Sequence, residues 1–329
     1  MEIGSEWVPI TDESSVGEAR RRALLVAQRL HFDETRSGEL ALLATEASRN
    51  ALIHGGGGQL VISAMHDEDR PVARILAIDR GAGIANIAQA MTDGYSTAGT
   101  MGGGMGAMKR MATLLDVFTG KHGTIVLLEI GSVPTPHPLR IAGLAVPYPG
   151  ERFCGDAWAF HHTPDRMLVL LADGLGHGRD ASEAAQEAVA AFHKRQDLAP
   201  AEILGCLHDS LMKTRGAVGA IAEIRPNEGF LTYAGIGNIS ASVITGGSSR
   251  SLVSHNGTLG MITARIQEFR TDWTRDSTLI MHSDGLQSKW DLSSYAGLVT
   301  RHPAIIGATL LRDFRRQRDD ASVVVVKAA

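Results

Sequence analysis

The chain has 329 residues, of which 44% are hydrophobic and 21% charged, a composition typical of a globular protein with room for two domains. Its 32 Lys and Arg side chains against 36 Asp and Glu give a net charge of −4, which argues against nucleic-acid binding through phosphate contacts. No apolar run reaches the roughly 18 residues that cross a bilayer, and the first residues lack the basic start and apolar core of a secretory signal. We therefore expect a cytoplasmic protein that binds neither nucleic acid nor membrane.

Periodicity and capping residues predict alternating helices and strands in the first 130 residues. A short strand at 6–10 precedes a helix whose start carries Ser15 and Glu18 at the spacing of a capping box. A second helix is predicted over 37–54 and ends at four consecutive glycines. The remaining predicted elements of this half are strands at 59–66, 73–79 and 124–130 and a helix beginning near Gly104.

The segment GSVPTPHP at 131–138 has three prolines and no periodicity, and it predicts a linker. We accordingly predict a first domain at 1–130, a linker at 131–137 and a second domain at 138–329. The second domain is rich in strand patterns, predicted at 139–146, 154–160, 166–172, 217–224, 230–234, 240–245, 265–273, 277–282 and 321–327. Its predicted helices are 181–195, 200–214 and 303–316. Its cysteines, Cys154 and Cys206, form neither a disulfide framework nor a zinc-binding pattern, and we expect both to be reduced and buried.

Three polar residues recur at helical spacing on the second predicted helix. Glu46, Asn50 and His54 are each four residues apart, which places them on one face. Such a row can be a solvated face of the helix. It can also point into a cleft, where an Asn oxygen binds Mg²⁺ and a Glu accepts a reacting proton.

Two glycine-rich segments follow that helix. Asp79 ends an apolar strand, and Gly81 and Gly83 after it permit close approach of a backbone, so the carboxylate can accept an exocyclic amine such as that of adenine. An ordinary turn has the same composition. The second segment opens a helix whose free N–H groups favour phosphate, although a flexible lid or hinge is equally compatible. Its glycines are Gly102, Gly103, Gly104 and Gly106.

Taken in order, three segments of this half resemble the ATP-binding boxes of the GHKL superfamily. They are ELALLATEASRNALIHG, ILAIDRGAGI and YSTAGTMGGGMGAMKRM. Within the superfamily, residues 16–130 look most like the RsbT-like serine kinases of bacterial stress and anti-sigma switches. The resemblance implies an α/β sandwich with a mixed sheet covered by helices on one face.

The same resemblance implies a role for each motif residue in binding ATP with Mg²⁺. Asn50 would hold Mg²⁺ and Glu46 would assist phosphoryl transfer. Asp79, Gly81 and Gly83 would bind adenine. The glycines that would line the triphosphate are Gly102, Gly103, Gly104 and Gly106.

Acidic residues in the second half end or adjoin apolar strands at Asp156, Asp173, Asp284 and the pair Asp319–Asp320. Any one of them is an ordinary turn residue. If the strands converge, however, the carboxylates repel one another unless they are protonated or neutralised by a cation. An all-oxygen set suits Mg²⁺ or Mn²⁺ better than zinc, and two such ions can bind a phosphate and activate a water.

The ordered motifs of this half resemble the SpoIIE-like or RsbX-like branch of the PPM (type 2C) protein phosphatases, which implies a four-layer αββα sandwich. They are PYPGERFCGDAW, VLLADGLGHGRDASEAA, AGIGNIS, HSDGLQSKWDL and RDDASVVVVK. The resemblance implies two Mn²⁺ or Mg²⁺ ions, with Asp173 and Asp284 central to catalysis. Asp156, Asp173 and the carbonyl of Gly174 would hold one side of the metal pair, and Asp284 and Asp319 the other.

Three further residues lie beside these motifs. Asp319 is preferred to Asp320 as a ligand because it aligns with the first position of the family's Asp-Asp/Asn pair. His177 can be a proton donor, shape its loop or contact a partner. Asn238 is a turn former or a residue of the site wall. No cation occupies the position where larger relatives bind the substrate phosphate.

Together the two halves predict a regulator that binds ATP, phosphorylates a serine or threonine on a STAS-type antagonist protein, and removes phosphate from such a protein. The alternative is an N-terminal module that binds ATP or a partner and regulates the phosphatase without transferring phosphate. The sequence specifies neither the partner protein, nor the choice between Mn²⁺ and Mg²⁺, nor the oligomeric state.

Overall fold

The computed structural model describes residues 2–67, 70–91, 104–132, 137–263 and 266–329. Contacts divide the chain into two compact units, residues 1–136 with 300–308 and residues 137–299 with 309–329. Within the described residues, none of the helices combines the length and hydropathy needed to cross a membrane. The predicted linker includes residues 133–136, which lie outside the described ranges.

The first unit is a five-stranded sheet with helices packed on one face. Its strands are β1 Glu2–Ile10, β2 Gly58–Asp67, β3 Arg70–Asp79, β4 Leu114–Gly120 and β5 Gly123–Gly131. Its helices are α1 Glu13–Arg29, α2 Glu34–Gly55, α3 Ile87–Ala90 and α4 Met105–Met111. The core joins α1 and α2 to the sheet through buried apolar side chains such as Leu40, Leu43, Ile62 and Ile75.

The sheet has the order β1-β2-β3-β5-β4, and every neighbouring pair is antiparallel. The expectation of a mixed sheet was therefore wrong. Two helices, rather than one crossover helix, connect β1 to β2, so the chain returns in the opposite direction. At the other edge, β5 inserts between β4 and β3 and opposes both.

The predicted capping box of the first helix was also wrong in its residues. Asp12 is the N-cap: its Oδ1 accepts the backbone N–H of Ser15 at 2.9 Å, and Ser15 Oγ accepts the N–H of Asp12 at 3.2 Å. Glu18 instead accepts hydrogen bonds from Arg21 and Arg22 one turn further on. Asp is as good an N-cap as Ser, and here it begins the helix earlier.

The second unit contains two five-stranded antiparallel sheets. The strands are β6 Leu139–Val146, β7 Asp156–Thr163, β8 Arg166–Gly174, β9 Ala217–Arg225, β10 Phe230–Ile236, β11 Ser240–Thr245, β12 Ser248–Leu252, β13 Gly257–Thr258, β14 Ile262–Thr263, β15 Phe269–Asp272, β16 Thr278–His282 and β17 Ala321–Ala328. The helices are α5 Arg179–His193 and α6 Pro200–Leu211, with a 3₁₀ turn at Leu292–Ser294. A second 3₁₀ turn, Leu298–Thr300, and the helix α7 Pro303–Phe314 are divided between the two units, since residues 300–308 group with the first. One sheet has the order β15-β10-β9-β8-β7 and the other β12-β11-β16-β17-β6.

Alternating residues of these strands divide between two cores. Val169 and Leu171 of β8 join Val324 and Val326 of β17 in the core between the two sheets. The intervening residues of β8 face α5 and α6 on the other side of the first sheet. Because alternate side chains fill the core between the sheets, the two sheets pack face to face. Strand ends from both sheets can then meet at one end of the sandwich.

Four strands were missed, β4, β12 and the two-residue strands β13 and β14, and both cysteines are less buried than predicted. β4 was absent from the prediction, as was β12, whose exposed sequence SSRSL has no apolar alternation and pairs with β11 over five residues. The predicted strand 265–273 is described as the shorter β15, and residue 265 lies outside the described ranges. Cys154 and Cys206 are free thiols but only half-buried.

Candidate functional site

Two of the predicted acidic residues face each other on neighbouring strands. Asp156 is the first residue of β7 and Asp173 the penultimate residue of β8, and the antiparallel register pairs them directly. Asp156 is only 3% exposed. Directly opposed residues in an antiparallel pair have Cβ atoms about 5 Å apart, so two ionised carboxylates would repel each other here.

A serine that the sequence interpretation did not single out holds Asp156 in place. Ser283 Oγ donates to Asp156 Oδ2 at 2.6 Å, and the backbone N–H of Ser322 donates to the same hydroxyl at 3.0 Å. The N–H of Ser283 donates in turn to the carbonyl of Ser322 at 3.1 Å. The end of β16 is thus joined to β17 and to the first acidic strand. The only signal for this role in the sequence is that Ser283 immediately precedes the Asp284-Gly turn.

The other two predicted ligands approach from the second sheet. Asp284 follows β16, and Asn238 Nδ2 donates to its Oδ2 at 2.8 Å. Asn238, predicted as a turn former or a residue of the site wall, therefore orients a carboxylate of the centre. Asp319 lies two residues before β17, half-buried and close enough to Asp284 for their charges to interact.

Asp320 has a different environment from Asp319. It is 2% exposed, and its Oδ1 accepts the backbone N–H of Tyr148 at 2.8 Å. A Cβ on Gly155 would lie 2.7 Å from its Oδ2, so the chain is packed closely around this carboxylate. Asp320 thus braces the loop before β7, which is consistent with Asp319 as the ligand of the pair.

Burial and mutual repulsion disfavour ionisation of these carboxyl groups. Burial raises the pKa of Asp156, opposed by the Ser283 hydrogen bond. Burial also raises the pKa of Asp173, and the charges of Asp156, Asp284 and Asp319 raise it further. Burial raises the pKa of Asp319, with Asp284 adding to the effect. All of these shifts show a centre of negative charge that a cation would neutralise.

The residues present fit a pair of hard divalent ions. Within the described ranges, no three His, Cys, Asp or Glu side chains surround a single point as a closed ligand set. Mg²⁺ does not need such a set, because it is usually held by one or two carboxylates and keeps several waters. Four aspartates shared between two ions supply two carboxylates for each ion. Their oxygen atoms are the donors that such ions prefer.

Gly174 occupies a position where the packing excludes a side chain. Its Cβ would collide with the carbonyl oxygen and backbone of Ala181 at the start of α5. The backbone N–H of Gly174 donates to the carbonyl of Gly155 at 2.9 Å. The end of β8 is therefore held against α5 and close to Asp156. A backbone carbonyl that binds a metal, as predicted for Gly174, needs a fixed position of this kind.

The loop after Gly174 carries two further groups. His177 Nδ1 lies 3.1 Å from Glu151 Oε1, and its ring stacks on Tyr148 with centroids 4.7 Å apart. Arg215 extends over the same loop, where a Cβ on Gly176 would be 3.0 Å from its Nη1. The contact with Glu151 shows that His177 shapes this loop. Arg215 is a cation beside the centre that the sequence interpretation missed, because it lies 42 positions from Asp173 along the chain.

The first unit contains a separate cavity of about 320 Å³ beside α2. The polar residues Glu46, Asn50 and His54 all line it, and Asp79 lines it from the end of β3. Of the two interpretations of this helical row, the cleft-facing one therefore agrees with the structure. Ala77, Ile84 and Val126 supply apolar walls, and pockets of this size and mixed lining bind small ligands.

Backbone donors and glycine packing fix Asp79. Its Oδ1 accepts the N–H groups of Gly81 and Thr124, each at 2.9 Å. A Cβ on Gly55 at the end of α2 would collide with the Asp79 side chain, and a Cβ on Gly81 would lie 2.7 Å from the carbonyl oxygen of His54. These contacts place the carboxylate against the end of α2 and the cavity.

The predicted phosphate-binding glycines are described only in part. Gly102 and Gly103 lie outside the described residues. Gly104 lines the cavity and is the N-cap of α4, a helix of seven residues, whereas Gly106 is buried within that helix. Gly83 also lines the cavity, with a φ of 81° that favours glycine.

Comparison with known proteins matches a different family profile to each half of the chain. The profile of the histidine kinase-like ATPase domain matches residues 9–130. The profile of Stage II sporulation protein E (SpoIIE) matches residues 163–329, more than half of the chain. The fold and centre described above define a PPM-type phosphatase domain that follows a GHKL-type ATPase domain. The chain belongs to the SpoIIE family and is a protein serine/threonine phosphatase.

Individual relatives agree with this assignment. The serine/threonine-protein kinase RsbT of Bacillus subtilis (strain 168) is 33% identical over 112 residues, which cover 34% of this chain and 82% of RsbT. The phosphoserine phosphatase RsbX of the same organism is 25% identical over 142 residues, 42% of this chain and 69% of RsbX. The crystal structure of RsbX in complex with magnesium has the same fold, with a TM-score of 0.53, 19% identity, and coverage of 66% of this chain and 100% of the other.

Proposed function

We propose that the second unit removes phosphate from a serine or threonine of a STAS-type antagonist in a bacterial stress or sigma-factor switch. The observation that carries this proposal is the directly opposed Asp156–Asp173 pair, with Asp284 and Asp319 close enough to raise the pKa of Asp173. Membership of the SpoIIE family and similarity to RsbX support the reaction class. The STAS-type partner follows from the resemblance of both halves to partner-switching proteins.

Each residue of the centre has a proposed task. Asp156, Asp173 and the carbonyl of Gly174 hold one side of a pair of Mn²⁺ or Mg²⁺ ions, and Asp284 and Asp319 hold the other. Such ions, when bound, supply a site for the phosphate and a water of lowered pKa.

Two neighbouring side chains assist the proposed binding of metal ions and phosphate. Asn238 holds the Asp284 carboxylate in one orientation through its 2.8 Å hydrogen bond. Arg215, half-exposed above the Gly176 loop, is placed to attract the phosphate of the substrate. A guanidinium is suited to this because it binds phosphate through paired N–H groups.

Hydrolysis with and without metal tests the phosphatase proposal. We expect wild-type protein to hydrolyse p-nitrophenyl phosphate and a serine-phosphorylated STAS-domain protein with Mn²⁺ or Mg²⁺, and to lose both activities in EDTA. Asp284→Asn should reduce both by about 100-fold or more, the upper end of the losses found on disturbing metal sites. Asp209→Asn, an exposed aspartate on α6, is the matched control and should retain activity. Full activity in EDTA, or in Asp284→Asn, would contradict the proposal.

For the first unit, we propose that the α2 cavity binds ATP with Mg²⁺ and that the domain phosphorylates the same class of partner. Glu46, Asn50 and Asp79 line one cavity, which supports a shared nucleotide site. Asn50 would bind Mg²⁺, Asp79 adenine, and Glu46 would assist the transfer. Similarity to RsbT supports a kinase role.

A binding-only role for the first unit is the second candidate. Arg49 Nη1 lies 3.6 Å from Glu46 Oε1, so the carboxylate that would assist transfer already has a cationic neighbour. In that case ATP would act as a regulator of the phosphatase.

Label transfer distinguishes the two candidates. Asp284→Asn protein is given labelled ATP, Mg²⁺ and a STAS-domain protein, with an added Asn50→Asp substitution as control. Label on the STAS protein that disappears with Asn50→Asp establishes a kinase. ATP binding without label transfer favours the regulatory module.

A further inference from the structure

A groove of about 680 Å³ lies on the outer face of the second sheet. Ser240 and Ser242 of β11 form part of its floor, and Ser249 and Ser251 of the edge strand β12 continue it. The intervening residues of β11, Ala241 and Val243, face the core between the sheets. We call this feature the serine groove, defined by these four serines with Asn238 and Trp290.

The serine groove begins at the phosphatase centre. Asn238, at its upper end, donates to Asp284 Oδ2 at 2.8 Å. From Ser240 to Ile244 the lining follows β11 for about 13 Å at the usual rise of a strand, and Asn238 continues it toward the centre. A chain that has one residue at the centre can therefore lie along the sheet in an extended conformation.

The far wall is also joined to the centre. Trp290 Nε1 donates to His282 Nε2 at 3.1 Å, so the other ring nitrogen of His282 donates to the carbonyl of Ser283 at 2.8 Å. Ser283 is the residue that holds Asp156. The aromatic wall is thus fixed relative to the acidic residues rather than carried on an independent loop.

The lining of the groove is largely uncharged, and Asp291 is the one carboxylate among its described lining residues. The floor presents small hydroxyl side chains, and Trp290, Leu292 and Val299 add an apolar wall. Ser242 is 7% exposed, and its hydroxyl has no hydrogen-bond partner within the described part of the chain. Buried hydroxyls are normally paired, so an occupant or ordered water at this floor is expected to interact with it.

We propose that the serine groove binds the extended segment of the substrate protein that flanks its phosphorylated residue. The continuity of the groove with Asp284, its course along β11 and its largely uncharged lining together favour a peptide segment with small or apolar side chains. A peptide supplies N–H and carbonyl groups for the serine hydroxyls, and its apolar side chains pack against Trp290. This inference rests on the proposed phosphatase function and deepens it by assigning a specificity site.

Substitution within the serine groove, with a matched substitution outside it, tests the assignment. Ser251→Trp places a large ring over the floor from an exposed edge strand, so the core is not disturbed. Ser248→Trp makes the same chemical change three residues earlier on β12, outside the lining. The substrates are p-nitrophenyl phosphate, O-phosphoserine and phosphoserine peptides with three or six residues of small or apolar type on either side.

We expect kcat/KM of the wild type to rise at least tenfold with flanking length, on one side of the phosphoserine only. Ser251→Trp should remove this rise through KM and leave p-nitrophenyl phosphate hydrolysis unchanged, and Ser248→Trp should behave as wild type. Peptides hydrolysed no faster than O-phosphoserine, or a Ser251→Trp protein that keeps the length dependence, would overturn the inference. Absence of metal-dependent hydrolysis of every substrate would instead overturn the proposed function, and the inference with it.

Discussion

Asp156 and Asp173 lie directly opposite each other on β7 and β8, and burial raises the pKa of both. A protein that keeps two opposed carboxylates at a sheet end loses stability there unless a cation or a proton neutralises them. The arrangement is therefore better explained by metal binding than by packing.

Removing one of these carboxyl groups should stabilise the metal-free protein at neutral pH, because the raised pKa of Asp173 favours the unfolded chain, in which it ionises freely. Directly opposed like charges destabilise a strand pair by up to about 1 kcal/mol. We expect Asp173→Asn in EDTA to raise Tm by about 2–4 °C, the shift that such a change in free energy produces in a domain of this size. Differential scanning calorimetry measures it. In the same experiment Mn²⁺ should raise the Tm of the wild type and not that of Asp173→Asn, and a variant that melts lower in EDTA would contradict the repulsion described here.

The hydrogen bond from Ser283 to Asp156 gives a second prediction. Ser283→Ala leaves a buried carboxylate without its hydroxyl donor and costs about 1–3 kcal/mol of unfolding free energy. Loss of an orienting partner should also weaken metal-dependent activity by about 10–100-fold. Urea unfolding and steady-state kinetics test the two effects, with the exposed Ser248→Ala as control. Unchanged kinetics would show that Ser283 serves packing alone.

Two glycines of α2 make a matched pair for the ATP cavity. A Cβ on Gly55 would collide with the Asp79 side chain, whereas a Cβ on Gly38 would meet nothing within 4 Å. We expect Gly55→Ala to weaken ATP binding at least tenfold and to leave phosphatase activity on p-nitrophenyl phosphate intact. Gly38→Ala should bind ATP normally and stabilise the protein by about 0.5–1 kcal/mol, since Ala is the better helix former. Calorimetric titration with ATP decides this, and equal affinity in both variants would remove Asp79 from the proposed site.

Arg215 is expected to act on the substrate phosphate rather than on folding. It is half-exposed and lies above the Gly176 loop. Arg215→Gln should raise KM for phosphoserine substrates several-fold and leave Tm within about 1 °C, because exposed ion pairs contribute little stability. Arg225→Gln, in which an arginine of β9 paired with Glu223 is removed, is the control for loss of a positive charge. If both variants raise KM equally, a general effect of charge is responsible.

The sequence predicted best those features that depend on short-range patterns. Apolar alternation located β6 and β11 at their observed bounds, and the acidic residues at strand ends were recognised because each interrupts an apolar run. β12 was missed because its stability comes from pairing with β11 rather than from its own residues. The two helices between β1 and β2 were predicted, but the mixed sheet was expected from the family resemblance, and strand direction follows from pairings that local patterns do not specify.

The sequence patterns did not predict contacts between residues that are far apart in the chain. Ser283 and Asp156 are 127 positions apart, and Asn238 and Asp284 are 46 apart. The first hydrogen bond arises only when the two sheets pack face to face, and the second when β11 pairs with β16 in one sheet. The serine groove likewise combines β11, β12 and the segment around Trp290, which are separate in the sequence.

Equilibrium titration of nucleotide-free protein with Mn²⁺ tests the central claim, that four aspartates from two sheets form one metal centre. We predict two ions bound per chain for the wild type, and loss of both from the double variant Asp173→Asn, Asp284→Asn, with Asp209→Asn unchanged. Retention of both ions by the double variant, or no binding to the wild type, would contradict the assignment of this centre.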